Sequence, residues 1–107
     1  MLIVTGGAGF LGSAIVWKLN ELGRRDILVV DALGRDDKWR NLVDRGFSDF
    51  LHRDEFLRRI RAGGDPFKAT AVVHMGACSA TTERDADYLY ENNTRYTTEL
   101  CRFCLER

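Results

Sequence analysis

Four glycines near the start of the chain have the spacing of a phosphate-binding loop. Gly6, Gly7, Gly9 and Gly12 follow the short apolar run at residues 2–4. A pyrophosphate must approach the backbone closely, and a Cβ at such a position would block it. The helix that follows leaves the N–H groups of its first turn unpaired, and these can donate to phosphate oxygens. The loop therefore predicts dinucleotide binding, with an ordinary glycine-rich turn as the alternative.

The residues on either side of this loop predict a strand before it and a helix after it. Residues 2–4 are apolar without alternation, which is typical of a strand buried on both faces of a parallel sheet. A helical period runs from Phe10 to Leu22, and Gly23 follows where a left-handed C-cap residue is favoured. Gly12 is expected to let this helix pack close to the strand. A strand, a glycine loop and a helix open a dinucleotide-binding βαβ unit.

A second buried strand is predicted at residues 26–31, and it ends at an acidic residue. Asp31 lies nineteen residues after Gly12, where a carboxylate commonly accepts hydrogen bonds from the adenosine ribose. The alternative is that Asp31 only ends the strand, as aspartate often does. Taken alone, this carboxylate favours NAD, because it repels the 2′-phosphate of NADP.

The rest of the chain continues to alternate strands and helices. A short helix carrying Leu42 and Val43 is expected within residues 32–45. The other predicted elements are a strand at 46–51, a helix at 54–62, a strand at 70–75 and helical sequence at 85–106. This rhythm predicts an α/β fold, a Rossmann-like doubly wound parallel sheet of about four strands with crossover helices. The expected strand order is 3-2-1-4, with the fourth strand at an open edge.

Composition excludes several classes of protein. The chain has 107 residues, enough for one small domain, and sixteen basic residues balance sixteen acidic ones. A net charge of zero does not favour nucleic acid as a partner. No apolar stretch is long enough for a bilayer, so no membrane partner is expected. Three cysteines, an odd number, do not form a secreted disulfide framework, which favours the cytoplasm.

Other reactive residue types have structural interpretations. Cys101 and Cys104 share one face of a helix without further zinc ligands, so we expect core packing and no metal site. His74, at a strand end, is expected to be a hydrogen-bonded core residue rather than a base. The three basic side chains of the second helix are expected to form its solvated face: Arg58, Arg59 and Arg61.

Several segments together resemble the extended short-chain dehydrogenase/reductases, which include sugar-nucleotide epimerases and dehydratases. The sequence Thr-Gly-Gly-Ala-Gly-Phe-Leu-Gly at residues 5–12 resembles the opening of that superfamily. Gly-Ala-Cys-Ser at 76–79 and Thr-Thr-Glu at 81–83 narrow the resemblance to one branch of the epimerases. The similarity runs over nearly the whole chain.

The resemblance implies NADP as cofactor, a nucleotide-sugar substrate, a role in lipopolysaccharide core biosynthesis and a homo-oligomer. It also assigns cofactor positions: Gly6, Gly9, Phe10, Leu11 and Gly12 at the pyrophosphate, Asp31 and Ala32 at the adenosine ribose, Lys38 and Arg53 near the 2′-phosphate, Met75, Gly76, Ala77, Cys78 and Ser79 toward the nicotinamide, and Asn92 from the last helix. Three positions depart from the family pattern. Ala32 replaces an asparagine, Arg53 replaces a lysine, and Met75 replaces an acidic residue and should keep its backbone contacts.

The catalytic pair of this superfamily, Tyr-x-x-x-Lys, does not occur in the sequence. The lysines are Lys18, Lys38 and Lys68, and none stands four places after a tyrosine. We therefore expect residues 1–107 to be an incomplete dinucleotide-binding domain without its catalytic and sugar-binding parts, inactive alone. Another NAD(P)-dependent sugar-nucleotide epimerase or dehydratase, or a non-enzymatic dinucleotide-binding module, remain the alternatives.

Overall fold

A four-stranded parallel sheet forms the centre of the molecule. The structure is a computed structural model that describes residues 1–34, 37–64, 66–76 and 95–105. The strands are β1 (Leu2–Thr5), β2 (Ile27–Asp31), β3 (Asp49–His52) and β4 (Ala71–His74). The α-helices are α1 (Phe10–Glu21), α2 (Arg53–Arg61) and α3 (Tyr96–Leu105), and a 3₁₀ helix spans Asp37–Leu42. The order β3-β2-β1-β4 confirms the predicted topology.

Helices cover both faces of the sheet, as expected for a doubly wound fold. Neighbouring residues of β1 and β2 point to opposite faces, and β2 is buried along its whole length. One face packs against α1 through Val4, Val16, Ile27 and Val29. The other packs against α2 and α3 through a larger cluster: Ile3, Leu28, Val30, Phe56, Leu57, Ile60, Tyr96, Leu100 and Phe103.

Helix α2 begins at a cap that the sequence reading did not anticipate. The Nδ1 atom of His52 accepts a hydrogen bond from the backbone N–H of Asp54 at 3.1 Å, which satisfies one free donor of the first turn. Gly63 follows the helix with a φ of +89°, a conformation that glycine adopts without strain. The helix therefore starts one residue before the predicted range of 54–62.

The predicted bounds of the third strand were wrong. The strand starts at Asp49, because the side-chain amide of Asn20 holds both backbone groups of Gly46. Asn20 Nδ2 donates to Gly46 O at 2.8 Å, and Gly46 N donates to Asn20 Oδ1 at 2.7 Å. Gly46 is thus outside the ladder. The predicted short helix is the 3₁₀ helix, which contains Leu42 but not Val43.

Cys101 and Cys104 are exposed, which corrects the expectation of core packing. The buried stripe of α3 runs through Tyr96, Leu100 and Phe103, at the i, i+4, i+7 spacing of one helix face. The cysteines fall beside that stripe and line a groove along the outer edge of β4. In the part of the chain that the structure describes, no helix has the length and apolar character needed to cross a membrane.

Three arginines of α2, namely Arg58, Arg59 and Arg61, are exposed and paired, which confirms a solvated face. Glu55 accepts hydrogen bonds from Arg58 and Arg59, and these guanidinium groups lower the pKa of Glu55 to about 2. Arg61 pairs instead with Glu99 and so connects α2 to α3.

We predict that the 107-residue polypeptide, expressed by itself, self-associates. Among the described residues, β4 pairs with β1 on one side and with no strand on the other, and an open edge is a template for pairing with another chain. Light scattering of the purified polypeptide should show a mass above that of the monomer. Ala71→Lys places a charge on an exposed edge position and should shift the mass toward the monomer. A monodisperse, cooperatively melting monomer would contradict this prediction.

Candidate functional site

The glycine loop lies where β1 ends, in close contact with the end of β4. Gly6 has a φ of +68°, and its N–H donates to Val30 O at 2.7 Å. A Cβ on Gly6 would lie 2.4 Å from Met75 O, and one on Gly12 would lie 2.0 Å from Gly6 O. Both glycines are therefore required by the packing of the chain itself. The close contact of Gly12 is with the loop rather than with the strand.

Gly9 has a different environment, because few of the described residues lie against it. Its φ of −73° suits any residue, and among the described residues a Cβ there would meet only Gly6 O, at 3.3 Å. Gly9 is the N-cap of α1, and no side chain in the described part of the structure caps that helix end. The side chains of Phe10 and Leu11 are exposed. The loop thus presents open backbone and a helix N-terminus, an arrangement that suits an anion such as a pyrophosphate.

Asp31 is the centre of the hydrogen bonds beside this loop. Its side chain is almost fully buried; Oδ2 accepts from the N–H of Ala8 at 2.9 Å, and Oδ1 accepts from the N–H of Ala32 at 2.7 Å. Lys38 Nζ also lies 2.6 Å from Oδ1. Asn41 donates to Ala8 O at 2.8 Å and fixes the loop from the other side. The carboxylate that the sequence predicted at the ribose is therefore oriented by the protein.

Arg53 is the first residue of α2. It lines a small pocket with Asp31, Gly6, Gly76 and Tyr96 at the carboxyl ends of the strands, together with Thr5 and Val30. Its guanidinium carbon lies 4.8 Å from the centroid of the Tyr96 ring. Of the two cations predicted as neighbours of one phosphate, Lys38 thus contacts Asp31 directly and Arg53 lines a pocket with it.

His74 has hydrogen-bond partners at both ring nitrogens, which agrees with the interpretation as a core residue. Nδ1 lies 2.5 Å from Thr5 Oγ1, and Nε2 lies 2.9 Å from Thr97 Oγ1. Burial, and then the charge of Arg53, lower the pKa of His74 below its ordinary value. The neutral imidazole is therefore the favoured form.

Met75 contributes to the site through its backbone. Its N–H lies 3.0 Å from Thr5 O and 3.1 Å from Thr5 Oγ1, so the substitution for an acidic residue leaves these contacts intact. Gly76 lies next to it, and a Cβ there would be 3.3 Å from Thr5 Oγ1. The other residues predicted toward the nicotinamide lie outside the described residues: Ala77, Cys78, Ser79 and Asn92.

The structure brings together the glycine loop, Asp31, Ala32, Lys38, Arg53, Met75 and Gly76 at one edge of the sheet. Two contacts of the site were not predicted from the sequence. The N–H of Ala8 donates to Asp31, and Tyr96, which was predicted only as a buried helix residue, contacts Arg53. No local signal marks either contact, because the partners are 23 residues apart for Ala8 and Asp31, and 43 residues apart for Tyr96 and Arg53.

Similar proteins share this sequence over its whole length. The chain is 61% identical over 106 residues to an ADP-L-glycero-D-manno-heptose-6-epimerase of Nitratidesulfovibrio vulgaris, which covers 99% of this chain and 33% of that protein. It is 51% identical over 107 residues to the enzyme of the same name from Fusobacterium nucleatum, covering 100% of this chain and 32% of that protein. The chain thus spans about a third of the length of these curated relatives. The heptose epimerases are the branch that residues 76–79 and 81–83 indicated.

Solved structures agree on the fold. The UDP-glucose 4-epimerase of Thermotoga maritima, solved with UDP-glucose, superposes with a TM-score of 0.73 at 27% identity over 98% of this chain and 34% of its own. The WbmG enzyme of Bordetella bronchiseptica, in complex with NAD and UDP, gives 0.70 at 26% identity over 96% of this chain and 33% of its own. The family model of the NAD dependent epimerase/dehydratase family matches residues 2–107. The chain therefore belongs to the NAD dependent epimerase/dehydratase family.

Proposed function

We propose that this chain is the NADP-binding part of an ADP-glyceromanno-heptose 6-epimerase, which interconverts ADP-D-glycero-D-manno-heptose and ADP-L-glycero-D-manno-heptose. The observation that carries the proposal is the 61% identity to a curated protein of that name over 99% of the chain. The proposal includes a homo-oligomeric complete protein and a product used in lipopolysaccharide core biosynthesis. It also includes a cytoplasmic location, which the free thiols of Cys101 and Cys104 support.

The residues at the carboxyl ends of the strands fit a dinucleotide. The space beside Gly9, which a side chain would fill, and the uncapped start of α1 suit a pyrophosphate. Asp31 is in place to accept from the adenosine ribose. The path toward the nicotinamide would follow Met75 and Gly76 and continue through Ala77, Cys78 and Ser79, with Asn92 as a further contact.

The charges beside Asp31 favour NADP over NAD. Lys38 lies against Oδ1 of Asp31 and compensates its negative charge, which reduces the repulsion of a 2′-phosphate. Arg53 lines a pocket that also contains Asp31, and it offers a planar fork that matches phosphate oxygens. NAD remains the alternative cofactor, because a carboxylate at this position also accepts from free ribose hydroxyls.

The chemistry assigned to this chain is binding and orientation. NADP, when bound, supplies a temporary hydride acceptor, so that a sugar carbon can change configuration with no net redox change. Residues 1–107 hold and orient it through the loop, Asp31 and the two cations. The acid/base pair and the sugar-binding part belong, in this proposal, to the rest of the protein.

A second candidate function is epimerisation of another nucleotide sugar, since the Thermotoga maritima neighbour is a UDP-glucose 4-epimerase. The complete protein should convert ADP-D-glycero-D-manno-heptose to its C6 epimer and leave UDP-glucose unchanged, as followed by proton NMR. Turnover of UDP-glucose alone would favour the second candidate. Cofactor binding without turnover of either sugar would favour a non-enzymatic module.

Gly9→Val in the complete protein should abolish binding of NADP while the fold is retained. The new side chain would lie in the path of the pyrophosphate, whereas its Cβ would meet only Gly6 O, at 3.3 Å, among the residues that the structure describes. Binding is measured by calorimetry and folding by thermal melting. Gly12→Ala is the contrasting variant, because its Cβ would lie 2.0 Å from Gly6 O and should destabilise the fold itself. A folded Gly9→Val protein with unchanged affinity would contradict the proposed loop contact.

Replacing both Lys38 and Arg53 by neutral residues should weaken NADP far more than NAD. Each lost charge-assisted hydrogen bond to the 2′-phosphate should cost about 1–3 kcal/mol of binding free energy. Lys38→Met also removes one of the two donors to Oδ1 of Asp31 and leaves only the N–H of Ala32 among the described donors to that oxygen, so that NAD affinity should be unchanged or increased.

The control for this pair is Arg24→Gln. It removes a cation that pairs with Asp26 just before β2. This pair lies at the amino end of the strand, away from the site at the carboxyl ends. Its affinity for both cofactors should equal that of the unaltered protein. Equal losses of NADP and NAD in the double variant would place the phosphate elsewhere.

A further inference from the structure

Tyr96, the first residue of α3, contacts Arg53 at two places. Its ring lies 4.8 Å from the guanidinium carbon, within the range of a cation–π interaction. Its hydroxyl donates a hydrogen bond to the backbone O of Arg53 at 3.2 Å. Tyr96 is only 3% exposed, so the ring is fixed by the core around it. One side chain therefore contacts both the backbone and the charged group of Arg53.

The residues around Tyr96 keep its ring in one position. His74, which stacks on the ring, is neutral, so Arg53 is the cation that contacts it. The His74 ring lies parallel to it, with the centroids 6.0 Å apart, and His74 is itself held by Thr5 and Thr97. Burial and Arg53 lower the pKa of His74, which keeps the imidazole neutral. Burial also raises the pKa of Tyr96, so the hydroxyl remains protonated and able to donate.

Arg53 and Tyr96 both line the pocket that contains Asp31 and Gly6. A free arginine side chain samples many rotamers, and ordering it on a ligand costs conformational entropy. An arginine already held against an aromatic ring loses less of that entropy when a phosphate binds. Preorganisation of this kind raises affinity without adding a contact to the ligand.

We propose that Tyr96 is a positioning residue for cofactor selectivity, which holds the Arg53 guanidinium in place for the ribose phosphate of NADP. The inference rests on the proposed function, since it assigns Arg53 to that phosphate. Tyr96 itself contacts no part of the cofactor in this proposal. Its effect is therefore confined to the ratio of NADP affinity to NAD affinity.

The test measures this ratio by calorimetry in the complete protein and its variants. Tyr96→Leu removes the ring and should lower the ratio about three- to ten-fold, the range of a partly buried cation–π contact. Tyr96→Phe keeps the ring and should retain most of the ratio. Pentafluorophenylalanine in place of Tyr96 keeps the shape but reverses the charge distribution of the ring, and should lower the ratio even where Tyr96→Leu fails to fold.

Two further variants separate the possible causes. Phe103→Leu truncates another buried aromatic of α3 and should lower the melting temperature without changing the ratio. Arg53→Gln should lower the ratio at least as much as the change at Tyr96.

An unchanged ratio with pentafluorophenylalanine, or an equal loss in Phe103→Leu, would overturn the role of Tyr96 while Arg53→Gln still supports the phosphate site. An unchanged ratio in Arg53→Gln would overturn both that role and the assignment of Arg53 to the phosphate. Loss of NADP and NAD alike at Tyr96 would show a structural role only and would also overturn the inference.

Discussion

The glycine loop is held between β4 and helix α1 by backbone contacts too close for any side chain. A Cβ on Gly6 would lie 2.4 Å from Met75 O, and one on Gly12 would lie 2.0 Å from Gly6 O. These contacts fix where α1 begins relative to the ends of β1 and β4. The open N-terminus of α1, the space at Gly9 and the start of the path beyond β4 all depend on that one arrangement. The phosphate binding proposed for this loop would thus be a consequence of how the sheet and helix pack.

Asp31 transmits this arrangement to the neighbouring strand. The carboxylate accepts from Ala8 in the loop, from Ala32 after the strand and from Lys38 beyond it. A buried carboxylate must be paired or hydrogen-bonded, and here the same bonds that satisfy it also orient it. Part of its accepting capacity is therefore used before a ribose arrives. A ligand that draws Lys38 toward a phosphate would release that capacity for the ribose hydroxyls.

Local pattern was enough to predict the parts of the fold that local chemistry determines. Continuous apolar runs predicted β1, β2 and β4, and the loop predicted the start of α1 and, with the usual topology, the strand order. The predicted start of β3 was wrong because Asn20, which lies 26 residues before Gly46, binds Gly46 and keeps it out of the strand ladder. The site shows the same division. Asp31 was predicted from its spacing, whereas the contact of Tyr96 with Arg53 depends on two helices meeting across 43 residues.

The candidate site therefore contains two kinds of residue: those that the fold requires, and those whose side chains could discriminate between related cofactors. Backbone packing requires glycine at positions 6 and 12, so these two residues of the loop cannot change without loss of the fold, whereas Gly9 is less constrained by the described residues. The N–H of Met75 donates to Thr5, a contact that does not depend on the identity of the Met75 side chain. In the proposed function, Lys38 and Arg53 would act through side chains that come from separate elements and lie near Asp31 at the carboxyl ends of the strands. Because their positions depend on partners such as Asp31 rather than on the loop, the choice between related cofactors can change while the loop stays the same.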